Sequence, residues 1–224
     1  RVVGDDVRFT TVSSDSRKIS SGDLFIALRG ENFDGYGFVN QSAQSGAVAA
    51  LANVDSYHNQ NMDCPLLLVD DTHLALGKLA AHWRKQFAIP LVAITGSNGK
   101  TTVKEMLVSI LRLAAGGSEY VLATKGNFNN DIGMPLTLLG LNVQHRFAVI
   151  EMGMNHFGEI DYLTRLAAPN VVLINNASGA HLQGLGSVEA VAQAKGEIFN
   201  GLQHGGTAII NGDEETGVTT FLIE

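Results

Sequence analysis

Cysteine is nearly missing from this chain: Cys64 is the single one in 224 residues. One cysteine closes no internal disulfide, and no cysteine-based metal-ligand spacing exists. Long apolar runs are lacking as well. The best, Gly46–Ala52, falls far short of the ~18–20 residues that span a bilayer. The N-terminal stretch Arg1-Val2-Val3-Gly4-Asp5-Asp6 lacks the charged-then-apolar pattern of a signal peptide. Positive charge is in deficit, with 15 basic against 22 acidic side chains and a net charge of −7 at pH 7. The basic residues are scattered, which argues against a general nucleic-acid-binding surface. Any phosphate must therefore be held by a few placed groups. These absences lead to the expectation of a soluble, cytoplasmic protein.

What is present can fill a sizeable core. Apolar residues make up 45% and charged residues 17%, with a mean hydropathy of +0.12, a balance that excludes intrinsic disorder. The length is natural for two domains. In the first part, Asp23–Leu28 reads as a strand between Ser21-Gly22 and Gly30, Phe38–Gly46 as a helix, and Ala47–Leu51 and Leu66–Val69 as strands. Thr72 is placed to cap a helix from His73 to about Phe87, with Leu74, Leu76, Leu79, Ala80 and Trp83 at helical spacing. The boundary is set at Asp70-Asp71, giving domains 1–70 and 71–224.

From Pro90 onward strand and helix alternate. Strands are expected at Leu91–Ile94, Tyr120–Ala123, Phe147–Met152, Val171–Asn175 and Thr207–Asn211. Val103, Met106, Leu107, Ile110 and Leu111 form one face of a helix, and helices are also expected at Gly158–Ala167 and Ser187–Leu202. Between them lie a Gly/Asn-rich loop and the apolar run Pro135–Leu141. Several strands are continuously apolar and β-branched, the pattern of strands covered on both faces. The fold class is α/β, a doubly wound and mostly parallel sheet behind a smaller α/β domain.

The strongest local signal is Ile94-Thr95-Gly96-Ser97-Asn98-Gly99-Lys100-Thr101-Thr102, set between an apolar strand and an amphipathic helix. Glycines let backbone N–H groups close around phosphate oxygens, and the helix start adds its positive dipole end. Lys100 is placed for β/γ-phosphates and the Thr101 hydroxyl for Mg²⁺. Ile94 stands where the strict phosphate-loop pattern has a glycine, so an ordinary strand-to-helix turn stays the alternative.

Three polar residues in apolar settings add to this. Glu151 ends the run Phe147–Ile150, on the ligand-binding edge of such a sheet. It is suited to hold Mg²⁺, or else to cap the following turn. His181 follows the strand Val171–Asn175 on that same edge, as a metal ligand or a solvated loop histidine. Lys195 falls within the apolar stripe Val188, Val191, Ala192, Ile198 and Phe199. Either its stem covers apolar surface while the ammonium reaches water, or it is a partly buried amine of lowered pKa that can take up CO₂ as a carbamate.

Together these residues resemble the Mur ligases of peptidoglycan synthesis. The loop Thr95–Thr102 is similar to that family's ATP loop, and Ser14-Asp15-Ser16-Arg17, Gly22–Gly30 and Phe33-Asp34-Gly35 to its UDP-binding domain. Gly126–Thr137, Glu151–His156 with Gly158-Glu159-Ile160, Asn175-Asn176, Ala180-His181-Leu182, Gly184–Ser187 and Ala194–Phe199 resemble the branch that adds D-alanyl-D-alanine. A Ser-Ser pair soon after the glutamate, typical of the branch that adds the preceding amino acid, is absent. The likeness extends to about Asp213.

The resemblance implies ATP and Mg²⁺ as cofactors, with UDP-MurNAc-tripeptide and D-Ala-D-Ala as substrates of a monomeric amide ligase acting through an acyl phosphate. It implies ATP binding by Gly96, Ser97, Asn98, Gly99, Lys100, Thr101 and Thr102. Lys100, Glu151, His181 and a carbamylated Lys195 are the catalytic set, and Thr101, Glu151, His181 and Lys195 attend the metal. Ser14, Asp15, Ser16, Arg17, Asn129 and Asn130 are implied at the UDP-substrate. It further implies a C-terminal domain that this sequence does not reach. The stretch 213–224 looks compressed, its last run resembling a strand that the family places further downstream. The family's branch that adds the third amino acid, a folate polyglutamate ligase and a non-catalytic nucleotide-binding module are the rival expectations.

Overall fold

The computed structural model describes residues 1–178 and 185–212. It divides into two compact units, Arg1–Leu79 and the chain from Ala80 onward.

The first unit contains seven strands: β1 (Val2–Val3), β2 (Thr11–Ser13), β3 (Asp23–Ile26), β4 (Arg29–Gly30), β5 (Phe33–Asp34), β6 (Ala49–Asn53) and β7 (Leu66–Val69), with helix α1 at Val39–Gln44. Five form one sheet in the order β1-β7-β6-β3-β2. Only β1 runs antiparallel, pairing Val2 with Leu67. The strands β3 and β6 are buried throughout, as their apolar runs require. Phe25, Ala27, Tyr36, Val39, Ala50, Ala52, Leu66 and Leu68 build the core. The short strands β4 and β5 form a separate hairpin.

Helix α2, Thr72–Arg84, runs through the division between the units. Its start departs from the sequence reading: Asp71 Oδ1, rather than Thr72, accepts the Leu74 N–H at 2.9 Å. The Thr72 hydroxyl instead accepts the Arg29 N–H at 3.1 Å. An aspartate one residue earlier is an equally good cap, and the tertiary partner engages the threonine.

The second unit carries β8 (Leu91–Thr95), β9 (Val121–Ala123), β10 (Phe147–Glu151), β11 (Val171–Ile174) and β12 (Thr207–Ile210), with helices α3 (Lys100–Ala115), α4 (Gly133–Leu139), α5 (Glu159–Ala167) and α6 (Val188–Gly196). The sheet order is β12-β11-β8-β10-β9, and every pairing is parallel. Successive residues serve opposite faces. Ala148 and Ile150 join α4, α5 and α6 in one core, with Leu138, Ile160, Leu163 and Val191. Ile94 and Val149 join α3 in the other, with Val108 and Ala115. The sheet is thus doubly wound. Its first strand, β8, lies between β10 and β11, so the chain order turns outward on both sides of it, which is where such sheets place ligands.

The expected helix Ser187–Leu202 is split: α6 ends at Gly196, and Glu197–Gly201 tightens into a 3₁₀ turn. Contact with α5 accounts for it. Glu197 turns its carboxylate onto the N–H groups of Gly158 and Asp161, and a Cβ on Gly201 would lie 2.3 Å from the Thr164 carbonyl oxygen. No helix among the described residues is long and apolar enough to cross a membrane.

Candidate active site

Register places the site residues side by side. Glu151 is paired with Ile94, and Ile174 with Thr95. The chain leaving β8 therefore has the Glu151 carboxylate on one flank and Asn175-Asn176 on the other. Gly99 takes the left-handed conformation with φ +73° immediately before α3, a turn that glycine makes without Cβ strain. The first N–H groups of α3 then point back along the helix axis without intrahelical partners, as at every helix start.

The loop is clamped from the β11 side. Ser97 N–H donates to the Asn176 carbonyl at 3.1 Å, and Asn98 N–H to Asn176 Oδ1 at 2.9 Å. The Asn175 and Asn176 amides both donate to the Asn98 carbonyl, at 2.8 and 3.0 Å. Ser97 Oγ donates to the Ser178 carbonyl at 3.0 Å and accepts the Ser178 N–H at 2.9 Å. Packing is tight enough that a Cβ on Gly96 would lie 3.1 Å from Asn175 Cβ. Lys100 folds over the loop, its Nζ donating to the Gly96 carbonyl at 2.6 Å.

On the other flank, Glu151 is buried, 3% exposed, and each carboxylate oxygen has a donor. The Thr101 hydroxyl donates to Oε2 and the Asn129 amide to Oε1, each at 2.9 Å. Glu151 N–H donates to the Thr124 hydroxyl at 2.9 Å. Burial pulls Lys100 below the usual lysine range, and the Glu151 charge opposes that shift. Lys195, on α6, is 1% exposed. Burial first, and the Lys100 charge second, push it down to about 8. An amine in that range is partly neutral at physiological pH.

Gly96 to Thr102, Asn129, Glu151 and Lys195 thus belong to one neighbourhood. Asn130 is near in sequence but differently employed: its Oδ1 accepts the Gly133 N–H at 2.8 Å, at the start of α4. His181 lies outside the described residues. Ser14, Asp15, Ser16 and Arg17 belong to the first unit and line a cavity of about 530 Å³ there, with Phe25, Phe33 and Phe38 among its walls. Arg17 grips Asp15 with Nε to Oδ1 at 2.8 Å and Nη2 to Oδ2 at 2.9 Å, which holds the carboxyl at about 2. Phe33 and Phe38 stack with ring centroids 5.8 Å apart.

The clamp by Asn175, Asn176 and Ser178 and the roles of Thr124 and Lys104 were not read from the sequence. The Asn-Asn pair that follows the four apolar residues of β11, as Glu151 follows Phe147–Ile150, is the signal that marks the clamp. Lys104, four residues before the buried Val108, interrupts the apolar side of its helix as Lys195 does.

Known proteins resemble the chain in both of its units. The family model described as the Mur ligase middle domain matches residues 94–222, and that described as Mur ligase family, catalytic domain, matches residues 8–84. A Haemophilus influenzae protein named UDP-N-acetylmuramoyl-tripeptide–D-alanyl-D-alanine ligase is 50% identical over 214 residues, covering 95% of this chain and 46% of that protein. A crystal structure of MurF from Acinetobacter baumannii superposes with a TM-score of 0.85 at 40% identity, over 95% of this chain and 46% of that one. The MurF ligase from Thermotoga maritima in complex with ADP gives 0.82 at 30% identity, over 95% and 48%. The chain spans about half the length of the relatives it matches.

Proposed function

The chain belongs to the Mur ligase family, and from that premise we propose that it is the substrate- and ATP-binding part of a ligase joining D-alanyl-D-alanine to UDP-N-acetylmuramoyl-tripeptide. The observation that carries this reading is the Thr101–Glu151 contact at 2.9 Å beside Lys100, at the helix start that follows a phosphate loop. In the reaction, a terminal carboxylate oxygen of the tripeptide attacks the γ-phosphorus of ATP. An acyl phosphate forms and ADP leaves. The amine of D-Ala-D-Ala then attacks the acyl carbon, and the tetrahedral adduct collapses to the amide and inorganic phosphate, the amine's proton passing to solvent.

Such chemistry needs positioning and charge neutralisation rather than a protein nucleophile. The N–H groups of the loop and of the first turn of α3 take the phosphate oxygens, and Lys100 releases the Gly96 carbonyl to meet the developing charge. Hard oxygen donors suit Mg²⁺, which is usually held by one or two carboxylates with phosphate and water. Thr101 and Glu151 fit that demand, with His181 and a carbamylated Lys195 as further groups toward it. Bound there, Mg²⁺ supplies charge stabilisation at the phosphates. Asn129, holding Glu151 from the loop after β9, and Asn130 face the peptide end of the UDP-substrate in this reading. The UDP end is assigned to domain 1–70 and the ATP to domain 71–224, in a cytoplasmic reaction. The cavity beside Arg17 supports the former assignment, since a guanidinium pairs well with phosphate oxygens and stacked phenyl rings offer a flat wall for a base.

The test is ADP release by the full-length protein. Turnover of ATP is expected only when UDP-MurNAc-tripeptide and D-Ala-D-Ala are both present. Equal turnover with D-Ala-D-Ala omitted, or with a folate substrate in place of the UDP-tripeptide, overturns the reading.

A further inference from the structure

Lys104 is buried, 1% exposed, in a helix that would pack an apolar side chain there with no desolvation penalty. Its Nζ donates to the Thr124 carbonyl at 2.7 Å. Its other charged contact is with Glu105 Oε1 at 3.0 Å, on a side chain that is mostly in solvent. What Lys104 holds is the junction where β9 leaves the sheet. The β9–β10 ladder ends at the pair Ala123–Val149. Thr124 N–H still donates to the Val149 carbonyl at 3.1 Å. Beyond that point the Thr124 side chain takes over from the backbone, its hydroxyl accepting the Glu151 N–H. The Thr124 carbonyl is thereby left for Lys104.

The segment that starts at Thr124 returns to the same carboxylate through the Asn129 amide. Both ends of this loop are thus tied to Glu151, one at its backbone and one at its side chain. Thr101 and Lys104, one helical turn apart on α3, approach the loop and the carboxylate from the same side. Thr101 holds Glu151 directly, and Lys104 holds it through Thr124.

Resting on the ligase reading above, we propose that Lys104 is a positioning residue of the nucleotide–metal site, setting the placement of Glu151 against Thr101 through Thr124. Outer partners of metal-binding groups typically change metal affinity by 10–100-fold when removed. Lys104→Met keeps the length of the side chain and drops both the charge and the bond. Thr124→Val drops the hydroxyl, and Thr124→Ser retains it.

The experiment measures ADP affinity of the full-length protein by titration calorimetry across a Mg²⁺ series, together with KM for ATP and kcat. Lys104→Met and Thr124→Val are each expected to raise the Mg²⁺ midpoint by about tenfold or more. Thr124→Ser is expected to stay near wild type, and the Lys104→Met/Thr124→Val double variant to be little worse than Thr124→Val alone, since both act through one contact. A wild-type Mg²⁺ midpoint in folded Lys104→Met overturns the proposal. If that variant does not fold, Thr124→Val against Thr124→Ser decides: equal midpoints overturn the proposal, and a rise in the valine variant alone supports it. Wild-type protein that binds ADP with normal Mg²⁺ dependence but shows no ligase turnover removes the ligase reading while leaving the positioning role measurable. Wild-type protein that binds no ADP at any Mg²⁺ concentration removes both.

Discussion

A lysine ammonium placed in a protein core stays charged only against its surroundings, and Lys195 shows the consequence. In the unfolded chain its ordinary value is 10.5, and in the folded chain it is about 8. Between those values the unfolded chain binds the extra proton, so stability rises with pH through that window. Below about pH 8 the full penalty is present, about 3 kcal/mol at 1.36 kcal/mol per pH unit. Lys195→Met removes it. In CO₂-depleted buffer the variant is expected to be more stable than wild type at pH 7, and to lack the rise from pH 8 to 10.5 that wild type shows in urea midpoint. Parallel curves for the two proteins would place the ammonium in water. The same variant is expected to lose ligase activity, because a neutral amine at this position is the group we propose captures CO₂. Wild type equilibrated with ¹³CO₂ should then give a carbamate carbon signal that Lys195→Met lacks. Lys195→Arg keeps the charge and cannot carry the carbamate, so it should not restore activity. At this scale the sequence was informative: a lysine inside an apolar helical stripe is visible by spacing alone. Its proximity to Lys100 was not, because that depends on where the sheet brings α6.

At the scale of elements, the parallel sheet was legible because its central strands are short, continuously apolar runs whose burial on both faces writes itself into composition. Leu66–Val69 was read with the bounds the structure has. What escaped were the elements that tertiary contact makes. The strand β1 is a pair of valines held by Leu66 and Leu67, and β4 and β5 pair only two residues each, too little for any period to register. The clamp on the phosphate loop escaped for a similar reason. Asn175 and Asn176 are far from Asn98 in the chain, and they meet it because β11 pairs with β8. Gly99 is where loop and clamp depend on one backbone conformation. A side chain there must adopt φ +73°, and its Cβ would lie 3.0 Å from Asn175 Nδ2. Gly99→Ala is therefore expected to destabilise the protein by about 1–2 kcal/mol, the strain of a left-handed L-residue, seen as a lower thermal midpoint. ADP affinity should fall with it as Asn175 is displaced. Unchanged affinity in the alanine variant would mean that the clamp has no part in forming the nucleotide site.

Across the whole molecule, two compact units each carry a constellation of their own: the Arg17 cavity in one, the loop and carboxylate in the other. The sequence placed the UDP-binding region and the phosphate loop in separate domains, with the division at Asp70-Asp71, whereas the compact units meet at Leu79–Ala80. A helix running through a division leaves no polar or glycine-rich linker to mark it, so composition alone has little to report there. Two sites in two units should be separable by substitution. Arg17 is exposed and already forked onto Asp15, so its removal leaves no buried group unsatisfied and should not unfold its unit. Arg17→Ala is expected to weaken binding of the UDP-MurNAc-peptide by roughly 10–100-fold, the range for losing a hydrogen bond to a charged group, while ADP affinity in the same full-length protein stays at wild type. Lys100→Ala should do the reverse, leaving UDP-peptide affinity intact while ADP affinity falls and acyl-phosphate formation slows by about 10²–10³, the scale for one preorganised donor at the transition state. Calorimetric titration of each variant with each ligand gives the four numbers needed. If Arg17→Ala weakens ADP as strongly as it weakens the UDP-peptide, the cavity is not a separate substrate site, and the role assigned to Ser14–Arg17 fails with it.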